Sequence, residues 1–159
     1  MEILIKYSRN FLVSVFSAFV FSLCITPTLS AETVSEVNFE YVKIYADKDG
    51  ETHFKDMTIP YESQDYAPPA PPIGVMARQA ATGFLAITTP PGYVSDLHPA
   101  PRVQWMIITS GTAEIIVSDG EKRILPTGSI LYLDEIGSKG HKTNVVGDEH
   151  LRLMAIEID

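Results

Sequence analysis

The stretch GYVSDLHPAPRVQWMIITSG, Gly92 to Gly111, decides how the rest of the chain is read. Its second half, Val103 to Thr109, is a run of β-favouring residues that ends at a Ser110–Gly111 turn. Trp105, Met106, Ile107 and Ile108 make both faces of that strand apolar, so each face is expected to pack against something. Trp105 is expected in the core. In the first half, an extended backbone would place Asp96, His98 and Ala100 on one face, because successive side chains alternate.

The same grammar extends in both directions. Downstream, Ala113 to Val117 is followed by Asp119–Gly120, a hairpin signal, and then by Ile124–Leu125. A Pro126–Thr127–Gly128 turn leads into Ile130 to Leu133, and His141 to Val146 and Leu151 to Ile158 complete the series. Upstream, Phe84 to Thr89 is a strand ended by Pro90–Pro91–Gly92. Phe39 to Tyr45 and His53 to Ile59 read as partners across Asp49–Gly50. Between them and Phe84, Pro60, Pro68, Pro69, Pro71 and Pro72 forbid a central strand or a helix, so residues 60–72 are expected to be an extended surface connection. Short strands at regular spacing, with no amphipathic helix, indicate an all-β sandwich or closed barrel.

The first 31 residues stand apart. Lys6 and Arg9 precede the apolar run Phe11 to Ile25, and Thr26 to Ala31 is small and polar. That order is the layout of a secretory signal peptide with cleavage near Ser30 or Ala31, and it implies a secreted or periplasmic protein. The run is shorter than the roughly 20 apolar residues of a confident span, so no stable membrane span is expected after cleavage; left uncleaved, the segment would be an anchor. Cys24 lies inside it, which excludes disulfides and thiolate metal sites from residues 32–159. Twelve basic residues less Lys6 and Arg9, against twenty acidic residues less Glu2, leave ten against nineteen, a net charge of −9. Such a domain repels phosphate backbones, so nucleic acid is not an expected partner. Residues 32–159 suffice for a single core.

Two parts of the chain resemble the paired motifs of the cupin superfamily. The family's first motif runs Gly, five residues, His-x-His, three or four residues, Glu, six residues, Gly. Here Gly92 and His98 keep that spacing, Ala100 stands at the second His, Gln104 at the Glu, and Gly111 closes the motif. The second motif resembles Gly128, the strand Ile130–Leu133, His141 and Asn144, with Asp134 in place of a proline and a loop two residues longer. The resemblance implies a jelly-roll barrel (a double-stranded β-helix), often dimeric, with its site inside and a divalent metal common.

Carried over residue by residue, the resemblance puts His98, Gln104 and His141 at metal-ligand positions. Such a set suits Fe, Mn, Ni, Cu or Zn. Asp96, outside the motif, is a candidate for the missing anionic ligand. Gln104, Asp134 and Glu135 are candidate catalytic groups, one of the two carboxylates acting as proton acceptor near His141. Tyr93, Arg102 and Tyr132 flank the motif as candidate substrate-binding residues, Arg102 because its planar fork matches a carboxylate. His53 and His150 fall near turns and are expected to be solvated. No pattern indicates an organic cofactor. Loss of a His and of the Glu weakens the donor set, so two function classes stand side by side. One is a metal-dependent enzyme on a small organic molecule; the other is a metal-free small-ligand-binding module with a vestigial site. A structural envelope protein is a third class. N-terminal sequencing of the exported protein should find a start within a few residues of Glu32.

Overall fold

In the computed structural model, which describes residues 37–158, every regular element is a strand. The expected signal peptide lies outside the described residues. The strands are β1 Asn38–Ala46, β2 Thr52–Pro60, β3 Glu62–Gln64, β4 Ile73–Val75, β5 Gly83–Thr89, β6 Gln104–Ser110, β7 Thr112–Val117, β8 Lys122–Pro126, β9 Ile130–Asp134, β10 His141–Val146 and β11 Leu151–Glu157.

From β5 onward the pairing is nested. β5 pairs with β11, the segment from Val94 to His98 bridges to β10, β6 pairs with β9, and β7 pairs with β8, all antiparallel. First with last, second with second-last, and so inward, is the wrapping of a jelly roll. The result is a large sheet in the order β2-β1-β9-β6-β11-β5 and a smaller one in the order β10-β7-β8. The Val94–His98 segment lies along the other side of β10. The β1–β2 hairpin is an addition to this frame, with β1 running parallel to β9.

Two connections differ from the sequence reading. β3 and β4 form a short exposed ladder that brackets the proline-rich stretch. Pro68, Pro69, Pro71 and Pro72 lie between its strands, where none must donate to a ladder. The β7–β8 loop is Ser118 to Glu121 rather than a two-residue turn, with Gly120 at φ 95°.

Alternation decides which residues enter the core. On β6, Gln104 and Ile108 are buried and Met106 packs against the core, so Trp105 and Ile107 point outward. On β9, Leu131 and Leu133 are buried, so Tyr132 also points outward. Trp105 and Tyr132 are register partners whose rings sit 4.6 Å apart, with Tyr41 and Phe39 beside Trp105. This corrects two expectations: Trp105 packs on the outer face of the large sheet instead of in the core, and Tyr132 does not reach the cavity mouth. The core itself, with Ile44, Ile108, Val117, Leu131, Leu133 and Leu151 at its centre, fills the space between the sheets.

Three loops are knit together at one end. The Thr52 N–H donates to Ser118 Oγ at 2.8 Å, the Ser118 N–H donates to Thr52 Oγ1 at 2.8 Å, and the Thr52 hydroxyl donates to the Gly140 carbonyl at 2.7 Å. His53 is held here, still partly open to solvent but paired with carboxylates. Its Nδ1 lies 2.6 Å from Asp119 and its Nε2 3.4 Å from Asp47. The bond to Asp119, then that to Asp47, raises its pKa above the ordinary 6.5. A raised pKa gives stability that is complete below the unfolded value and is lost as pH climbs through the folded one. The protein should therefore melt higher than His53→Gln at about pH 5.5 and converge with it by about pH 9, as read by thermal denaturation.

Candidate functional site

The two imidazoles meet on the side of β10 away from β7. His98 and His141 form a hydrogen-bonded antiparallel pair: the His98 N–H donates to the His141 carbonyl at 3.1 Å, and the reverse bond is 3.0 Å. Their ring centroids are 5.0 Å apart. Between this pair and the Val94–Asn144 bridge the chain takes four steps on one side and three on the other, which is a β-bulge. The bulge breaks the alternation that would align Asp96 with His98. Asp96 is exposed, and what meets His98 is its backbone carbonyl, which accepts from Nδ1 at 2.9 Å. Asp96 is not among the residues that line the cavity with His98.

Asp134 and Glu135, adjacent in sequence, part company. Asp134 ends β9, is exposed, and pairs with Lys43 at 2.7 Å. Glu135 turns inward and is 1 % exposed. Its Oε1 accepts from Nδ1 of His141 and from the Ala100 N–H at 3.2 Å. Its Oε2 is buried without a partner among the described residues. The loop that carries Glu135 returns at Gly140, whose φ is +79° and whose missing side chain matters. A Cβ there would stand 2.1 Å from the backbone carbon of His98. Only glycine lets the start of β10 lie so close to His98 and Pro99.

His98, Gln104 and His141 line one cavity of about 230 Å³ with Tyr93 and Thr143. Leu85, Ile87, Met106, Leu133 and Leu153 supply its apolar wall. A void of about 30 Å³, bounded by Ile108, Ile115 and Leu131, continues behind His141. Arg102 takes no part: it is exposed and its Nε lies 3.4 Å from Glu157. His150 is exposed. A larger groove of about 410 Å³ between Glu40, Asp56 and Ser129 contains no imidazole and no ring of converging donors.

In each imidazole Nδ1 is engaged, with a carbonyl for His98 and a carboxylate for His141, so Nε2 is the nitrogen that a neutral ring offers as an acceptor. That arrangement suits a metal ligand or a hydrogen-bond acceptor equally. The rest of the donor set is weak for a resident metal. Catalytic zinc centres, for example, take three strong protein ligands, and here Gln104 offers a neutral amide while Glu135 faces the back of His141. Among the described residues no three His, Cys, Asp or Glu side chains form a cluster that could hold a metal.

No protein-family model matches the chain, and no curated protein matches it. Solved structures do. A cupin 2 conserved barrel domain protein from Salinispora arenicola is 23 % identical with a TM-score of 0.41, over 64 % of this chain and 76 % of that one. The Cnp3 cupin domain of Schizosaccharomyces pombe is 12 % identical with a TM-score of 0.38, over 77 % and 84 %. The architecture follows from the nested pairing of the chain itself. The fold is an all-β jelly roll. In this jelly roll the close approach at Gly140 gives a direct test. Gly140→Ala should cost about 2 kcal/mol or more, because the left-handed φ is strained for alanine and the backbone of His98 cannot yield. Thermal denaturation should show a drop of roughly 6–10 °C.

Proposed function

We propose that this protein is an exported cupin whose cavity binds a small organic molecule without a resident metal. The observation that carries the reading is that His98, His141 and Gln104 line one cavity, with Nδ1 of each imidazole already engaged, beside a wall that is largely hydrocarbon. A few placed polar groups in an apolar cleft are the usual make-up of a small-molecule site. The cavity volume of about 230 Å³ lies below the roughly 300–1,000 Å³ of drug-sized ligand sites, so the occupant is smaller than those. Supporting the export half is the basic, apolar, small-residue order of residues 1–31.

What the site does chemically follows from Glu135. A carboxylate behind Nδ1 fixes the ring orientation and neutralises the imidazolium that forms when Nε2 takes a proton. His141 is therefore equipped as a base toward a bound hydroxyl, and Gln104 as a neutral clamp that can donate or accept. His98, exposed at the mouth, is placed to touch the ligand as it enters. Binding alone and proton transfer on the bound molecule both use this arrangement.

The test is a fragment titration into the chelator-treated protein, with elemental analysis before treatment. Binding should survive chelation, metal should be well below one equivalent per chain, and His141→Ala should weaken binding by about tenfold or more, the value of one lost hydrogen bond to a buried polar group. About one bound metal per chain, removed by His98→Ala and by His141→Ala and needed for binding, would replace this reading with a metal centre.

A further inference from the structure

We propose that the outer face of the large sheet carries a second, separate binding site, for a compact neutral apolar molecule, between Trp105 and residues 76–82. Register and parity build its floor. Trp105 and Ile107 point away from the core; Trp105 lies opposite Ile156 of β11, and Ile107 opposite Ile130 of β9. Residues directly opposite share a face, and the inward burial of Ala155 and Leu131 agrees with that parity on both neighbouring strands. The outer face of an antiparallel sheet ordinarily presents polar side chains to water. This one presents an indole and three isoleucines.

Residues 76–82, which join β4 to β5, cross that face. Two bonds tie them down: the Trp105 indole N–H donates to Gln79 Oε1 at 2.7 Å, and the Thr82 N–H donates to the Glu157 carbonyl at 2.9 Å. The segment does not fill the space it crosses, where Ala81 brings only a methyl group. Between Met76, Gln79 and Ala81 on one side and the floor on the other is a cavity of about 240 Å³, with Phe39 and Ile158 also in its wall. It shares no residue with the cavity of His98 and His141 and opens on the opposite face of β6.

The lining selects the class of ligand. No charged side chain borders the space, and the indole N–H and the side-chain oxygen of Gln79 are already spent on each other. The other bordering side chains are hydrocarbon or thioether. A charged or strongly hydrated molecule would shed its water there and gain no partner. An apolar cavity of about 150 Å³ takes up benzene, so this one, in proportion, suits a neutral body of roughly ten carbon atoms. A second copy of the chain is the poorer occupant: residues 76–82 stand over the sheet, and a flat partner surface meets them before it reaches Ile107.

Trp105 is the only tryptophan of the chain, so its fluorescence reports on this site. Bromobenzene quenches an indole it touches through its heavy atom, and 4-bromobenzoate carries the same bromine together with a charge. Titrated into the purified full-length protein, bromobenzene should quench saturably and bind at least about tenfold more tightly than 4-bromobenzoate. Ala81→Phe, at an exposed position on the cavity wall, puts a ring into the space and should weaken bromobenzene binding by about tenfold or more. Quenching that does not saturate, equal affinity for the two probes, or an affinity unmoved by Ala81→Phe overturns the proposal. Should Ala81→Phe unfold the domain, NOEs from bromobenzene protons to the Trp105 ring of the unsubstituted protein decide, and their absence overturns it. An indole N–H resonance that shifts with protein concentration and not with probe gives the face to a second copy. NOEs from that N–H to residues before Val37 give it to the chain's own N-terminal segment. Either result also overturns the proposal.

Discussion

Two backbone hydrogen bonds, exchanged between His98 and His141, tie the fold to the site. They are the anchor of the second rung in the nested pairing, the one that lays the Val94–His98 segment along β10. Without it, His98 would hang from a loop between β5 and β6 with nothing to aim it. Each bond contributes only about 1 kcal/mol net, so the pair does not hold the sandwich together; the apolar core does. What the pair fixes is position, since residues directly opposite on such a rung have Cα atoms about 5.5 Å apart. Two imidazoles 43 residues apart in the chain are thereby forced to within 5.0 Å of each other, ring centre to ring centre.

Position alone would leave the rings free to rotate, and the polar contacts behind them remove that freedom. For His98 the bulge supplies the Asp96 carbonyl; for His141 the loop after β9 supplies Glu135. Burying a carboxylate costs several kcal/mol unless it is paired and hydrogen-bonded. Glu135 meets that condition on one oxygen and not on the other. A half-answered buried charge is a poor stabilising device, and its value lies in what it does to the ring in front of it. The Ala100 N–H completes the arrangement, with a buried small residue where the related motif would carry a second imidazole.

Most of the strand order was legible because it rests on periods and turns. Asp49–Gly50 and Pro90–Pro91–Gly92 fall between observed strands, and Ser110–Gly111 and Pro126–Thr127–Gly128 each begin on the last residue of one strand and lead to the next. Trp105 and Tyr132 were misplaced by a step that alternation could have prevented: once Gln104 is assigned inward, Trp105 must face out, and the residue across from it on β9 follows. The site was half legible. Spacing carried His98, Gln104 and His141 to one cavity, since motif spacing reflects strand length. Asp96 was lost because a bulge leaves no signature in letters, and His53 because its two carboxylates come from hairpin tips far apart in sequence.

Glu135 is the instructive case, because sequence named it without separating it from Asp134. Adjacent residues at the end of a strand point in opposite directions, so one of two neighbouring carboxylates must face the interior if the chain stays extended for one more step. Leu131 and Leu133 are buried, which fixes the parity and makes Glu135, not Asp134, the inward residue. The loop beyond it must then return to β10 through Gly140, where the Thr52 hydroxyl grips the carbonyl and the positive φ allows contact with His98. Parity chooses the carboxylate and the glycine brings the histidine to it. The chemistry of the cavity is thus set by two local backbone constraints, one of which can be read from the alternation of leucines along a single strand.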